Sequence, residues 1–203
     1  MDHQHFKLYK PDGYLSQLIN NSRKRKNKKL VSSLYDFPMG AMCVGRLDEA
    51  SEGLLLLTTD GMLSHYINSS EIEKEYYAQV DGVISSEAVA QLSKGVEITH
   101  EGAPYVTKPC HAVLPETSPR FPPRSRRVRD ERHGPTSWIC ITLTEGKFRQ
   151  VRKMTAAVGF PTLRLVRTRI GRIKTEQMLP GEVTPLKDLR RLIEAIPPSS
   201  SSL

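Results

Sequence analysis

The chain has 203 residues, enough for one domain with a buried core, and its formal net charge of +8 at pH 7 points to an anionic partner. No apolar run approaches the roughly 20 residues of a membrane-spanning helix, and the N-terminal MDHQHFKLYK lacks the pattern of a signal peptide, so we expect no membrane association. Cys43, Cys110 and Cys140 are odd in number and widely spaced, which argues against a disulfide framework or a zinc site and is typical of thiols in a reducing cytosol.

Four consecutive leucines, Leu54 to Leu57, form the most apolar run in the chain. This run cannot alternate between a core face and a solvent face, so it predicts a strand buried on both faces. AMCVG predicts another strand just before it. Between the two strands lie three charged residues, Arg46, Asp48 and Glu49, which are thereby placed beside a rigid apolar wall.

The middle of the chain alternates between short helices and strands. Its predicted boundaries rest on cap residues, on turn residues and on hydrophobic spacing. In chain order, the pattern predicts a helix from Met62 to Ile67, a strand at EYYAQV, and a helix capped by Ser86 that runs through Lys94 and ends at Gly95. A long loop is predicted over the Pro- and Arg-rich residues 115–137. The last element is a half-buried strand at SWICITLTEG, in which Ile139, Ile141 and Leu143 alternate with Trp138, Cys140 and Thr142.

A cationic helix follows that strand. From Phe148 to Val158, apolar residues recur at helical spacing and predict one buried face, whereas Arg149, Arg152 and Lys153 fall outside that face. Gly159 supplies a residue that ends a helix. TLRLVRT predicts the next strand, so positive charge continues from the helix into the strand.

The C-terminal region predicts one more helix. Thr184 and Pro185 favour a helix start, with Leu186, Leu189, Ile193 and Ile196 on one face. Residues 197–203, PPSSSSL, predict a disordered tail. Helices and strands alternate irregularly along the chain and no repeat is visible, which favours an α+β fold with a mixed, mostly antiparallel sheet.

Positive charge is concentrated in three segments. Residues 23–29, 118–133 and 146–174 hold 21 of the 30 Lys and Arg residues and only two acidic residues. Such segregation is typical of proteins that bind a polyanion, most often nucleic acid. For residues 23–29 taken alone, which contain no aromatic residue, a solvated loop remains the alternative interpretation.

Asp48 is the candidate reactive group. A carboxylate beside an apolar wall loses solvation, and a neighbouring cation such as Arg46 would keep it ionised but poorly hydrated, which suits a nucleophile. The alternative is a turn aspartate that hydrogen-bonds to its own backbone. Spacing alone leaves both interpretations open.

Four motifs resemble those of the RNA pseudouridine synthases of the RsuA group. GRLDEASEGLLLLTTDG at residues 45–61 resembles the family signature G-R-L-D-x-x-[ST]-x-G-L-L-L-L-T-x-[DN]-G. KPDG at 10–13, KEYYAQV at 74–80 and EGKFRQVRKMTAAVGFPTLRLVRTRIG at 145–171 resemble the other motifs, in family order. Thr59, Lys153 and Phe160 replace the Asn, Arg and His that are more common in the family, and none of them occupies a catalytic position.

The resemblance implies an activity, the isomerisation of uridine to pseudouridine in RNA, and a fold, a bent sheet of two related halves with a catalytic cleft between them. It also implies roles for single residues. Asp48 would be the nucleophile, and Arg152 would pair with it and hold it ionised. Tyr76 would pack against the target base and take part in proton transfer, and Arg46 would help to keep the flipped base out of the RNA helix.

Further residues are candidates for contact with RNA because they lie in the basic segments or in the matching motifs. Flipping a base out of its stack costs a few kcal/mol, which contacts with the RNA backbone offset. The reaction requires neither metal nor cofactor, and we expect none. The candidate contacts are Arg46, Lys147, Arg149, Gln150, Lys153, Arg164, Arg167, Arg124, Arg126 and Arg127, with Val151 and Leu165 as apolar walls of the pocket.

The resemblance spans residues 10–171, so we expect residues 1–203 to form a single catalytic domain. Only nine residues precede Lys10, and we expect no N-terminal S4 RNA-binding domain. The sequence resembles the E-type branch of the family, which modifies one uridine of 23S rRNA. The resemblance rests on four features: the expected lack of an S4 domain, RLDEASEGLLLL, the Pro/Arg-rich loop leading to PTSW, and VGFPTLRL. We therefore expect large-subunit ribosomal RNA as the partner, a cytoplasmic location and a monomer.

Two other classes of function are alternatives to this one. A non-catalytic RNA-binding or ribosome-assembly protein on a synthase scaffold would keep the basic segments but would have no need of Asp48, Tyr76 and Arg152 together. A nuclease or glycosidase that used Asp48 would need a second carboxylate in a matching motif, and the sequence offers none.

Overall fold

The computed structural model of the protein describes residues 2–19, 27–128 and 131–194. The basic residues 23–26, the predicted helix position Ile196 and the predicted tail at 197–203 lie outside these ranges. The helices are α1 (Gly61–Ser69), α2 (Ser86–Lys94), α3 (Gln150–Ala157) and α4 (Leu189–Glu194). The strands are β1 (His5–Lys10), β2 (Tyr14–Leu15), β3 (Lys29–Leu30), β4 (Met42–Val44), β5 (Ser51–Thr58), β6 (Lys74–Asp81), β7 (Glu97–His100), β8 (Ala103–Val106), β9 (His111–Val113), β10 (Thr136–Leu143), β11 (Thr162–Ile170), β12 (Ile173–Lys174) and β13 (Val183–Leu186).

A nine-stranded sheet forms the centre of the fold. Seven of its strands follow the order β13-β1-β5-β11-β6-β10-β9, while β4 pairs with β5 and β12 with β11. β5 and β11 run parallel, and the other paired strands of this sheet, within the described ranges, are antiparallel. The predicted α+β class with a mixed, mostly antiparallel sheet is therefore confirmed.

Strand β5 is buried on both faces, as its four leucines predict. All eight of its residues are buried, and Leu54 to Leu57 have no exposed surface. Leu54 and Leu56 belong to one core cluster, and Leu55 and Leu57 belong to another. Full burial of each leucine contributes about 1.5–3 kcal/mol. The turn that carries Asp48 thus leads directly into one of the most firmly packed elements of the fold.

Two helix starts differ from the predictions. The cap of α2 is Ser85 and not Ser86, because the Ser85 hydroxyl accepts a hydrogen bond from the Ala88 amide. Helix α3 begins at Gln150, so its predicted start at Phe148 is wrong. Arg149 has a left-handed backbone with φ of 55°, which breaks the helix before Gln150 and leaves Phe148 exposed.

The predicted helix start at Thr184 is also wrong. Residues Val183–Leu186 form strand β13, in which Pro185 pairs with Phe6 of β1. This strand lies at one end of the sheet order, where a proline costs no ladder hydrogen bond. The helix that follows begins later than predicted, at Leu189, and Leu189 and Ile193 are buried as expected.

The Pro/Arg-rich loop between β9 and β10 covers one face of the sheet. Its Phe121 ring lies 5.4 Å from the Trp138 ring and 5.6 Å from the Tyr77 ring.

Strand β10 is more buried than predicted. Cys140 and Thr142 are buried in addition to Ile139, Ile141 and Leu143, so the prediction of a half-buried strand is wrong for the C-terminal half of β10. In the described part of the chain, no helix is long and apolar enough to cross a membrane.

Candidate active site

A cleft with a cavity of about 210 Å³ lies between two core clusters. Tyr76 and Val151 line it from the cluster that contains β6, β10 and α3, while Val44 and Ile67 line it from the cluster that contains β4 and α1. Asp48 lies on the loop between β4 and β5 and also lines the cavity. The predicted nucleophile and the predicted base-packing tyrosine are therefore brought into one cleft.

Two arginines face the same oxygen of Asp48. The Nη1 atom of Arg149 lies 3.1 Å from Oδ2 and donates a hydrogen bond to it, and the Nε atom of Arg152 lies 3.7 Å from Oδ2. The Asp48 side chain is 23% exposed. Sequence reasoning predicted the partner Arg152 but assigned Arg149 to RNA contact, because the left-handed turn that brings it to Asp48 leaves no signal in helical spacing.

Arg152 is anchored in the fold while Arg149 is open to solvent. The guanidinium group of Arg152 donates to the carbonyl oxygens of Thr162 and Ala50, at 3.2 and 3.1 Å, and to Ser51 Oγ at 3.2 Å. Burial, and then the charge of Arg149, lowers the pKa of Arg152, but an arginine remains protonated at neutral pH. Arg152 therefore supplies a fixed positive charge beside the carboxylate.

The turn that carries Asp48 is held on both sides by the N-terminal segment. On one side, Ser16 Oγ donates to the Leu47 carbonyl at 2.9 Å and accepts from the Leu47 amide at 3.0 Å. On the other side, the Glu49 carbonyl accepts from the Gly13 amide at 2.8 Å and from Lys10 Nζ at 3.3 Å. These contacts give the KPDG motif a physical role, which is to fix the position of the Asp48 backbone.

The floor of the cleft carries two cations below Tyr76. Arg167 lies 6.0 Å from the centre of the Tyr76 ring and donates from Nε to the Leu54 carbonyl at 2.7 Å. Its Nη2 atom is buried and has no hydrogen-bond partner among the residues described. Burial, and then the charge of Arg167, lowers the pKa of Lys74 to about 8. Sequence reasoning missed Lys74, although it opens the KEYYAQV motif.

A hydrogen-bonded rim holds the loop that precedes α3. Glu145 accepts hydrogen bonds from the Tyr105 hydroxyl at 2.6 Å, from the Lys108 amide at 2.9 Å and from the Gln150 side chain. The Gln150 side chain in turn accepts from the Lys147 amide at 2.9 Å. Gln150 is thus buried and internally bonded, and its role in the structure is to shape the turn that presents Arg149.

Three arginines predicted to contact RNA lie outside the cleft and bond to buried carboxylates. Arg124 and Arg126 both donate to Asp12, at 2.7 and 2.8 Å, and Arg164 forms a bidentate pair with Glu52 at 2.8 and 2.9 Å. Burial alone would raise the pKa of Asp12, but hydrogen bonds and charges from Arg126 and Arg124 together hold it below its ordinary value. These side chains fasten the Pro/Arg-rich loop to the protein.

The other predicted residues divide between the cleft and the surface. Lys153 donates to the Thr99 carbonyl at 2.6 Å, outside the cleft lining, and Arg127 is exposed. Within the described ranges, His, Cys, Asp and Glu side chains form no group of three or more that could hold a metal ion. The remaining predicted residues line the cleft, and they are Arg46, Lys147, Val151 and Leu165.

Comparison with known proteins agrees with this geometry. The fold is similar to that of a solved pseudouridylate synthase, with a TM-score of 0.71 and 27% identity over 91% of this chain and 70% of that one. The fold and the cleft thus define an enzyme of the pseudouridine synthase class. The model of the RNA pseudouridylate synthase family matches residues 4–157. The chain therefore belongs to the RNA pseudouridylate synthase family and is an isomerase.

Curated relatives carry more specific names. The chain is 38% identical to the ribosomal large subunit pseudouridine synthase E of Xanthomonas axonopodis pv. citri over 175 residues, which are 85% of this chain and 88% of that protein. It is 41% identical to the protein of the same name from Vibrio vulnificus over 177 residues, which are 85% of this chain and 70% of that protein.

Proposed function

We propose that the protein converts one uridine of large-subunit ribosomal RNA to pseudouridine, with Asp48 as the nucleophile. The observation that carries the proposal is that Asp48 and Tyr76 line one cleft, while Arg152 lies 3.7 Å from the Asp48 carboxylate. A non-catalytic RNA-binding protein would have no use for a carboxylate in this cleft, since it repels phosphate. The names of the curated relatives support ribosomal RNA of the large subunit as the substrate.

The proposed reaction begins when the Asp48 carboxylate attacks C1′ of the flipped uridine. The C1′–N1 bond breaks, and the base leaves with the electron pair and therefore with negative charge. The base turns in the cleft, C5 bonds to C1′, and the carboxylate is released. The proton on C5 is lost and N1 gains a proton, and Tyr76, which lines the cleft, would take part in this exchange.

The charges of the cleft match these steps. Arg152 places a fixed positive charge 3.7 Å from Oδ2 of Asp48, and this charge would stabilise the negative carboxylate before the attack and after its release. Lys74 and Arg167 supply positive charge where the detached base would lie, and such preorganised charges stabilise a developing anion more effectively than water does. Nη2 of Arg167, which has no hydrogen-bond partner among the described residues, would donate to a carbonyl oxygen of the base.

Binding of the RNA would depend on the cations around the cleft. Arg46 and Arg149 are exposed at its rim, where they can reach phosphate groups next to the flipped nucleotide. Lys28 belongs to the first basic segment, and its Nζ atom lies 2.8 Å from the Glu49 carboxylate. It extends positive charge to the other side of the Asp48 turn. We further propose that the enzyme acts as a cytoplasmic monomer.

Mapping of pseudouridine in a deletion strain tests the proposal. Ribosomal RNA from the wild-type and deletion strains is treated with carbodiimide and analysed by primer extension. We expect one stop in 23S rRNA to disappear and to return when the wild-type gene is supplied. Loss of a stop only in 16S rRNA or transfer RNA would contradict the proposed substrate, and unchanged profiles in all RNAs would contradict the proposed activity in the cell.

A further inference from the structure

A second cavity, of about 480 Å³, lies on the face of the sheet opposite the cleft. Tyr76 lines the cleft, and the next residue of β6, Tyr77, lines this second cavity, because successive side chains of a strand point to opposite faces. We call it the rear cavity. Its lining includes Tyr9 of β1, Phe121 of the Pro/Arg-rich loop and Lys174 of β12.

One residue of the rear cavity lining, Tyr9, carries a buried polar atom that the described protein residues leave unsatisfied. Tyr9 is 2% exposed, and its hydroxyl oxygen is buried and has no hydrogen-bond partner among the described residues. Buried hydroxyl groups in folded proteins almost always have a partner. Burial, and then the charge of Glu52, raises the pKa of Tyr9 to about 12, so the hydroxyl keeps its proton and can donate it to an acceptor.

The walls and the mouth of the rear cavity differ in chemistry. The rings of Tyr77 and Phe121 lie 5.6 Å apart at an interplanar angle of 65°, so that part of the wall is aromatic. Aromatic side chains are the groups on which nucleobases stack regardless of their sequence. Arg120 and Lys174, both exposed, line the cavity and can reach a phosphate group at its mouth. The acidic residue Glu75 in the lining is already bonded to Thr168 and paired with Arg169, while Glu176 is exposed.

We propose that the rear cavity binds one unpaired nucleotide of the substrate RNA, distinct from the uridine that is modified. Its base would lie against Phe121 and Tyr77 and would accept a hydrogen bond from the Tyr9 hydroxyl, and its phosphate would contact Arg120 and Lys174. The cavity has the size of a small-ligand site, so it admits a splayed base but not a stacked duplex. This inference rests on the proposed function, because RNA is the substrate that would reach both faces of the sheet.

Tyr9→Phe should affect the stability of the free protein and its affinity for RNA in different ways. In the free protein this change removes an unsatisfied hydroxyl and nothing else, so we expect the melting temperature to stay the same or to rise by a few degrees. Binding of a full-length 23S rRNA transcript should instead weaken by about two- to tenfold, the contribution of one hydrogen bond. Tyr9→Phe with unchanged or tighter RNA binding would overturn the proposal.

Charge variants give an independent test by filter binding at several salt concentrations. Arg120→Gln and Lys174→Gln should each reduce the slope of log K against log salt by about 0.7, the value for one single-strand phosphate contact. Lys94→Gln, an exposed residue at the end of α2, is the matched control and should leave the slope unchanged. Slopes of the two variants equal to that of Lys94→Gln would overturn the phosphate contact.

Two further results separate the possible explanations. A mononucleotide that bound the wild-type protein at micromolar concentration without competing with RNA would overturn the assignment of the cavity to RNA. Wild-type protein that forms pseudouridine in the transcript, combined with a Tyr9→Phe variant that binds RNA normally, would reject the rear cavity and leave the proposed function intact. Absence of pseudouridine in the wild-type reaction would instead count against the proposed function.

Discussion

Replacing each of the two arginines at Asp48 by glutamine should have very different effects on catalysis. Both face the same oxygen, Arg149 at 3.1 Å and Arg152 at 3.7 Å, so distance alone would rank Arg149 first. Exposure reverses the order, since 42% of the Arg149 side chain is open to solvent but only 11% of Arg152. An exposed ion pair contributes at most about 1 kcal/mol, whereas losing one partner of a buried pair costs on the order of 3–5 kcal/mol.

These energies convert into rates at about 1.4 kcal/mol for each factor of ten. Arg149→Gln should therefore slow the chemical step by less than about sixfold. Arg152→Gln should slow it by at least about 100-fold even if part of the energetic loss appears as reduced stability. Some loss of stability is expected, because Arg152 also bonds to Thr162, Ala50 and Ser51.

The assay is the single-turnover rate of pseudouridine formation at saturating RNA, with urea unfolding of each variant measured in parallel. Measuring both quantities separates a slower reaction from a smaller folded fraction. Equal rate losses for the two variants, or a larger loss for Arg149→Gln, would mean that burial does not decide which arginine supports Asp48. A larger loss for Arg149→Gln would show that the nearer arginine holds the nucleophile.

Three further predictions concern the supports of the site. Lys10 is fully buried, and burial lowers its pKa to about 7, below the value in the unfolded chain, so the unfolded chain binds one more proton above pH 7. Urea titrations should therefore show that the stability of the wild type relative to Lys10→Met rises from pH 7 to 10, by at most about 1.4 kcal/mol per pH unit. A difference that does not change with pH would contradict this prediction. Asp12→Asn removes the buried carboxylate that pairs with Arg124 at 2.7 Å and leaves that arginine only the more distant Glu52, at 3.7 Å, so the free energy of unfolding should fall by on the order of 3 kcal/mol. A loss below about 1 kcal/mol would mean that the pair does not anchor the loop. Tyr76→Phe should retain more single-turnover activity than Tyr76→Ala because the ring packs in the cleft, and equal activity of the two would reject that role.

Several elements of the fold could be predicted because their sequences have one simple pattern. Four leucines in a row can only be a strand without a polar face, and β5 is buried as predicted. Strand β13 was misassigned because Thr184 and Pro185 read locally as a helix start. Its true state depends on pairing with β1 at the sheet edge, a contact between residues almost 180 positions apart that no local pattern records.

Prediction of the site from sequence is limited in the same way, because contacts between distant residues leave no local pattern. The motifs predicted that Asp48, Tyr76 and Arg152 would meet, and they line or border one cleft. They did not reveal that Arg149 also reaches Asp48, since this depends on a left-handed residue before α3. Charge patterning was similarly ambiguous for Arg124, because a basic loop has the same composition whether its arginines face RNA or a buried carboxylate.

Pseudouridine formation by Asp48→Asn is the decisive measurement for the role of Asp48. Asparagine keeps the shape of the side chain but removes the charge that attacks C1′. We predict that wild-type protein forms pseudouridine in a 23S rRNA transcript, and that Asp48→Asn forms none while binding the transcript at least as tightly. Turnover of Asp48→Asn within tenfold of wild type would contradict the assignment of Asp48 as the nucleophile.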